Sequence, residues 1–123
     1  MNNIWIILGA FSCALAVIIG ALGAHGLKDV LTTEYSRGIY DKGNFYHFIH
    51  SFALMINGIL SQIFNQIDLS ISGYLFLIGI ILFSFSLYVL AITDIKILGA
   101  ITPFGGVCFI IAWLYIGFKI YNS

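Results

Sequence analysis

The stretch that decides the fold is NFYHFIHSFALMINGILSQIFN, residues 44–65, which has the length of a membrane-spanning helix. At about 100° per residue, its polar and small side chains fall within an arc of about 120°, opposite large apolar side chains. This polar face comprises His47, His50, Ser51, Asn57, Gly58, Ser61 and Asn65. Because hydrocarbon offers no hydrogen-bond partner to an imidazole or an amide, we expect the face to turn inward against other helices.

The composition indicates an integral membrane protein. Of the 123 residues, 61% are hydrophobic and only 8% are charged, and the mean hydropathy is +1.06. These values lie outside the range of ordinary soluble domains. The net charge is zero and the basic residues are scattered, which argues against a nucleic-acid partner. We therefore predict a single membrane domain over residues 1–123, surrounded by the lipid bilayer.

The predicted fold class is all-α, a transmembrane four-helix bundle. The apolar runs place spans at about 4–24, 44–66, 69–92 and 97–121. Small residues at intervals of three and four in the first span favour close contact with the polar face of the second. These small residues are Gly9, Cys13, Ala16, Gly20 and Gly23. In the last span, Pro103 with Gly105 and Gly106 predicts a helix kink.

Residues 25–43 form the longest predicted loop. Apolar residues at helical spacing within it predict a short interfacial helical turn, with Thr32 or Thr33 as the N-cap before Glu34. Most of the basic residues lie in this loop or in the last connection, on the same side of the membrane. They are Lys28, Arg37, Lys42 and Lys96, against Lys119 on the other side. The positive-inside rule then places both termini outside.

Four segments together resemble a known family. They are GALGAHGLK (20–28), YHFIHSFAL (46–54), FSFSLYVLAIT (83–93) and ITPFGGVCFIIAWL (101–114). Their order and spacing resemble the small four-span YgdD/YwdK-like membrane proteins, which include a mitochondrial relative in eukaryotes. The resemblance covers essentially the whole chain and implies a four-helix protein of the bacterial inner membrane, or alternatively of the mitochondrial inner membrane. It implies no reaction, because the family is largely uncharacterised.

The resemblance extends to individual positions. The shared ones are His25, Tyr46, His50, Ser84, Ser86, Leu87, Tyr88, Thr102, Pro103, Gly105, Gly106 and Trp113. The family pattern has glutamine where this chain has His47, and glycine where it has Phe85 and Ala112. A metal-binding role for His47 is weakened by this departure, since glutamine would not replace a family-wide ligand.

The span boundaries predict a small polar chamber in the half of the bilayer next to the long loop. Its candidate residues are His25, Tyr46, His50, Ser86, Tyr88 and Thr102. Ionisable groups inside a membrane usually need a functional or structural partner. The chamber is therefore interpreted either as a hydrogen-bonded layer that fixes helix register or as a functional site around His50.

Three kinds of chemistry compete with a structural role. His47 and His50, spaced i, i+3, can share a face, and His25 could complete a three-nitrogen zinc site, but the membrane segments offer no acidic second shell. Small four-span dimeric transporters rely on a buried acidic residue in the first span. Here Asp29, Glu34, Asp41, Asp68 and Asp94 all fall in or beside loops. No motif for hydrolysis or group transfer is present, so we predict no enzyme, no metal and no cofactor.

The function predicted from these observations is that of a non-enzymatic accessory or structural subunit of a larger membrane assembly. So little polar mass outside the spans leaves mainly lipid-facing and helix-facing contacts for such a protein to work through. The predicted partners are the bilayer, other membrane-protein subunits or a second copy of the chain. The alternative is a small-ligand-binding or transport protein that uses the polar chamber around His50.

Overall fold

The computed structural model of the chain describes residues 3–123, and over that range the protein consists of helices joined by short turns. The helices are α1 (Ile4–Ala24), α2 (Glu34–Ile63), α3 (Ser70–Thr93) and α4 (Leu98–Tyr121). The all-α prediction is confirmed. The single-domain prediction over 1–123 stays a prediction, and its residues 1 and 2 lie outside the described residues.

Three of these helices, α1, α3 and α4, are long and apolar enough to cross a membrane. The fourth, α2, is not among them, because its sequence contains histidines and asparagines and its first turns are charged. Its polar side chains are largely turned away from the outer surface: His47, Ser51 and Asn57 are each 0% exposed. That α2 also spans the membrane remains our prediction.

The helix α2 begins at Glu34, whereas the sequence predicted a loop up to residue 43. Thr33 is the N-cap, as one of the two predicted candidates: its Oγ1 accepts from the Ser36 backbone N–H at 3.0 Å. Tyr40 lies in the helical turns that precede residue 44 and is 2% exposed. Its hydroxyl donates to the Ile19 carbonyl oxygen at 2.5 Å. These turns are therefore held by packing against α1.

The helices α1 and α2 approach each other backbone to backbone. A Cβ atom built on Gly9 would lie 2.8 Å from the Met55 nitrogen and 2.9 Å from the Ser51 carbonyl oxygen. From the other side, a Cβ on Gly58 would lie 2.9 Å from the Ile6 nitrogen. Two helices can come this close only where a glycine of one faces the backbone of the other, which is the close contact predicted from the small-residue spacing.

A buried amide ties α2 to the beginning of α3. Asn57 Nδ2 donates to the Leu69 carbonyl oxygen at 3.0 Å, and the Ser72 hydroxyl donates to Asn57 Oδ1 at 2.6 Å. Asp68 Oδ1 accepts from the Ser70 backbone N–H at 2.9 Å, just before the helix, whose N-cap is Leu69. The α2–α3 turn is fixed by polar contacts at its base.

The helix α3 is π-helical over Ile80–Phe85, near its middle. Gly105 of α4 lies opposite this segment, so that a Cβ on Gly105 would meet the Phe83 nitrogen and lie 2.8 Å from the Leu82 carbonyl carbon. The helix α4 continues without interruption through Pro103, Gly105 and Gly106. The bend predicted at these residues stays a prediction, but they do not end the helix.

Candidate functional site

His50 is held by two hydrogen bonds that use both of its ring nitrogens. Nδ1 lies 2.8 Å from the Tyr46 carbonyl oxygen, and the Trp113 indole N–H donates to Nε2 at 3.1 Å. A carbonyl can only accept and an indole N–H can only donate. The imidazole is therefore assigned as the neutral tautomer with its hydrogen on Nδ1.

The rings around His50 form a stacked aromatic cluster. The Phe109 ring lies on the imidazole at 3.5 Å between centroids and 4° between planes. The Tyr46 ring is also parallel to the imidazole, with 5.9 Å between centroids and 6° between planes. Phe83 packs on Tyr46 at 4.7 Å with a tilt of 47°. The cluster therefore locks the orientation of His50 and joins α2, α3 and α4.

An open groove runs along the outer side of this cluster, between α2 and α4, with a volume of about 500 Å³. It is lined by Tyr46, Ile49, His50, Phe83, Gly106, Phe109, Ile110 and Trp113. Ile110 is 60% exposed and Trp113 is 41% exposed, so the groove opens sideways rather than toward either end of the bundle. In a membrane, such a groove faces lipid.

A second polar group surrounds His47 and connects three helices. Its members are Ser12 of α1, Asn44, His47 and Ser51 of α2, and Tyr88 of α3. Asn44 Nδ2 donates to the Ala16 carbonyl oxygen at 2.9 Å and to the Tyr88 hydroxyl at 3.2 Å. We call these five residues the His47 network.

The direction of each hydrogen bond in the His47 network follows from its atoms. The Ser51 hydroxyl donates to the His47 carbonyl oxygen at 2.6 Å, so Ser51 Oγ accepts from Ser12 Oγ at 2.5 Å. Ser12 Oγ then accepts from His47 Nε2 at 3.1 Å, and His47 Nδ1 accepts from the Tyr88 hydroxyl at 2.8 Å. This assignment gives every donor in the His47 network an acceptor. It makes His47 neutral, with its hydrogen on Nε2.

The six residues predicted to line one chamber fall into separate places. Tyr46 and His50 lie in the aromatic cluster, and Tyr88 belongs to the His47 network. Ser86 and Thr102 form their own hydrogen bond at 2.6 Å between α3 and α4. His25 is the exposed residue that follows α1, and its backbone N–H donates to the Ala21 carbonyl oxygen. The chamber is thus replaced by two histidine sites and a separate hydroxyl pair.

Both histidine sites lie near the middle of the bundle. His47 and His50 contact residues near the middle of the neighbouring helices, such as Ser12 in α1 and Phe109 in α4. No group of three histidine, cysteine, aspartate or glutamate side chains within residues 3–123 is placed to hold a metal ion. The three-histidine zinc site considered from the sequence is therefore not assembled here.

Sequence reasoning did not select Ser12, Asn44 and Ser51 as site residues. Ser51 was assigned to the polar face of residues 44–65, but its partner Ser12 sits alone in an apolar helix. A signal was present in the spacing of Asn44, His47 and Ser51, which brings the three side chains onto neighbouring positions of one helix face. What the sequence cannot supply is the identity of the facing hydroxyls on α1 and α3.

Comparison with known proteins identifies the relatives of this chain. Residues 19–106 match the model of a family described as "Protein of unknown function (DUF423)". A UPF0382 membrane protein of Staphylococcus epidermidis is 46% identical over 112 residues, covering 91% of this chain and 90% of its own length. UPF0382 membrane protein YwdK of Bacillus subtilis is 45% identical over 115 residues, covering 93% of each chain.

No solved structure is significantly similar to this chain. The family match covers more than half of the chain, and the relatives match over nearly all of it and are named as membrane proteins. The resemblance stated from the sequence is confirmed. The chain belongs to the DUF423 family, whose similar bacterial relatives are the UPF0382 membrane proteins.

Proposed function

We propose that this membrane protein is a non-enzymatic accessory or structural subunit of a larger membrane assembly. The observation that carries the proposal is that the polar side chains lie inside the bundle whereas its outer surface is apolar. Polar side chains inside the bundle are paired with one another: His47 bonds to Ser12, and Ser72 donates to Asn57. The outer faces are apolar, with Phe11 72% and Phe118 68% exposed. Such a bundle presents helix faces, not reactive groups, to its surroundings.

The outer face of α4 is the best candidate for contact with another subunit. It has a shallow groove of about 640 Å³, lined by Ile111, Trp113, Leu114, Tyr115, Gly117, Phe118 and Tyr121. Nothing lies within 4 Å of a Cβ built on Gly117, so the backbone of α4 is accessible there. Small residues that expose backbone are typical of helix contacts inside membranes, and the flanking aromatic side chains add contact area.

The proposal of a non-enzymatic role is supported by the lack, among the described residues, of a base beside the unpaired buried hydroxyl. Within residues 3–123, Ser84 Oγ is the one buried side-chain nitrogen or oxygen without a hydrogen-bond partner. A serine acts as a nucleophile only when a base is within hydrogen-bond reach. Both central histidines already use each ring nitrogen in hydrogen bonds, so neither is aimed at this hydroxyl.

Photo-crosslinking from the outer face of α4 tests the subunit role. A photoreactive amino acid at Leu114 or Phe118 should give, in intact cells, the same protein adduct of defined mass. The matched control is Phe11, which is equally exposed but lies on α1; it should give lipid adducts only. If Leu114 and Phe118 also give only lipid adducts, the protein does not work through this face and the subunit role is contradicted.

A second candidate function is that of a small-ligand-binding or transport protein. The specific observation in its favour is the 500 Å³ groove beside His50, which reaches the size range of ligand pockets. Purification in mild detergent followed by mass spectrometry of bound small molecules tests this role separately from the crosslinking. It is contradicted if the purified protein carries only bulk lipid.

We also propose that the protein lies in the bacterial inner membrane with both termini outside. Lys96 Nζ lies 5.7 Å from the Tyr35 ring centroid, so the α3–α4 link and the beginning of α2 share one end of the bundle. The Asp94 carboxylate, which accepts from Lys96 Nζ at 3.0 Å, raises the pKa of Lys96 and keeps its positive charge. Most basic residues thus lie at the end assigned to the cytoplasm.

Cysteine labelling should reveal this orientation. With a membrane-impermeant thiol reagent on intact cells, Ser123→Cys should react and Ser36→Cys should react only after the membrane is opened. The native Cys13 and Cys108 lie within α1 and α4, so they provide a low background. The opposite labelling pattern would show that the termini face the cytoplasm.

A further inference from the structure

The groove between α2 and α4 contains one polar group that its surroundings leave unsatisfied. Tyr46 is 37% exposed, and its ring takes part in the aromatic cluster. Its backbone oxygen accepts from His50 Nδ1, but within residues 3–123 its hydroxyl makes no hydrogen bond. A phenol hydroxyl that faces hydrocarbon has no acceptor in the lipid, and leaving it unpaired is costly.

The depth of the groove restricts what can occupy it. Its walls come from residues near the middle of their helices, including Phe83 of α3 and Phe109 of α4. An occupant must therefore reach the centre of the bilayer. A phospholipid or sterol head group cannot do this, since its hydration holds it at the interface. A molecule that is soluble in lipid as a whole can reach the centre of the bilayer.

The shape of the walls favours a flat conjugated ring. Five aromatic side chains line the groove, and three of them, Tyr46, His50 and Phe109, have nearly parallel planes. Offset-stacked and edge-to-face contacts between aromatic rings are favourable beyond the area that they bury, so a ring gains more from these walls than its burial alone. At Gly106 the absence of a side chain leaves the groove wall open, because a Cβ built there would lie in ordinary contact with Phe83, 3.7 Å from its ring.

We propose that this groove binds the ring of a lipid-soluble quinone, with the Tyr46 hydroxyl donating a hydrogen bond to a ring carbonyl. The quinone has a flat ring for the aromatic walls, carbonyl oxygens that only accept, and a hydrocarbon tail that leaves sideways past Ile49 and Ile110. This inference rests on the second proposed function, ligand binding beside His50, and names the class of its ligand. No reaction of the quinone is implied.

The inference is tested with decylubiquinone as the probe and tryptophan fluorescence as the signal. Trp113 lines the groove, so a quinone bound there should quench its emission. Purified full-length protein in phospholipid nanodiscs should show saturable quenching as the mole fraction of quinone rises. Tyr46→Phe keeps the ring and removes the donor, so it should raise the half-saturating mole fraction about tenfold, the effect of roughly one hydrogen bond.

A matched pair of variants on α4 controls for non-specific quenching. Gly106→Leu places a side chain in the groove and should remove the saturable component. Gly117→Leu places the same side chain on the same helix, at a position with nothing within 4 Å, and should bind as the wild type does. If Gly106→Leu does not fold, as shown by its thermal transition, Tyr46→Phe decides alone.

Two results would overturn the inference. One is quenching that rises without saturation and equally in all variants, which means that the quinone only dissolves in the bilayer. The other is displacement of the quinone by added phospholipid without any ring, which means that the groove holds an acyl chain. A co-purified molecule without a ring carbonyl, lost in Gly106→Leu, would overturn the quinone class but uphold ligand binding itself.

Discussion

Replacing His47 by leucine should destabilise the protein more than any other single polar substitution in the bundle. The leucine side chain is close to the imidazole in size, but it makes neither the bond to Ser12 nor the bond to Tyr88. Both hydroxyls would then be left with unpaired hydrogen-bonding capacity inside the bundle. Membrane side-chain hydrogen bonds average about 0.6 kcal/mol and leaving a buried polar group unpaired costs about 1–3 kcal/mol, so we expect a loss of about 2–3 kcal/mol.

The matched control is His47→Gln, because an amide can donate on one side and accept on the other, as the Nε2–H tautomer does. We expect this variant to lose less than about 1 kcal/mol. The measurement is the free energy of unfolding in mixed micelles titrated with SDS. Similar values for leucine, glutamine and wild type would show that the His47 network does not hold the helices together.

The fold was largely predictable because α1, α3 and α4 are long apolar runs. The bounds of α1 match the prediction, whereas α3 begins and ends one residue later than predicted and α4 begins one residue later. The beginning of α2 was missed because Arg37, Asp41 and Lys42 make residues 34–43 look like a solvated loop. Burial of Tyr40 against α1 outweighs that composition, and such tertiary contact cannot be seen in the local sequence.

The candidate site was only partly predictable, for a different reason. Periodicity places His47 and His50 on the same side of α2, yet three residues of separation turn them toward different neighbours. His47 meets hydroxyls of α1 and α3, whereas His50 meets rings of α3 and α4 and the Trp113 indole. The family pattern drew attention to His50 and away from His47, although it is His47 that joins three helices.

The π-helical segment Ile80–Phe85 had no sequence signal that we recognised. A π-helix shifts the backbone hydrogen bonds by one residue and so changes which side chains of α3 face their neighbours. The segment lies where Gly105 brings the backbone of α4 against Leu82 and Phe83. The packing of two backbones at this point is a property of the pair of helices, so neither sequence alone reveals it.

Replacing Gly105 by alanine should therefore separate α3 from α4. The added Cβ would meet the Phe83 nitrogen and lie 2.8 Å from the Leu82 carbonyl carbon, and these are backbone atoms that cannot rotate away. Overpacking of this kind costs about 1–3 kcal/mol, and we expect the upper part of that range because a whole helix must shift. The loss should appear both in the free energy of unfolding and in a lower thermal transition.

The neighbouring substitution Gly106→Ala is the control, and its expected effect on the free energy of unfolding has the opposite sign. Its Cβ would lie in ordinary contact, 3.7 Å from Phe83, so no atom needs to move. Alanine favours a helix over glycine by up to about 1 kcal/mol, so this variant should be as stable as the wild type or slightly more stable. Two adjacent alanine substitutions with opposite effects would locate the backbone contact at Gly105. Equal effects at the two positions would contradict the packing of α4 on the π-helical segment of α3.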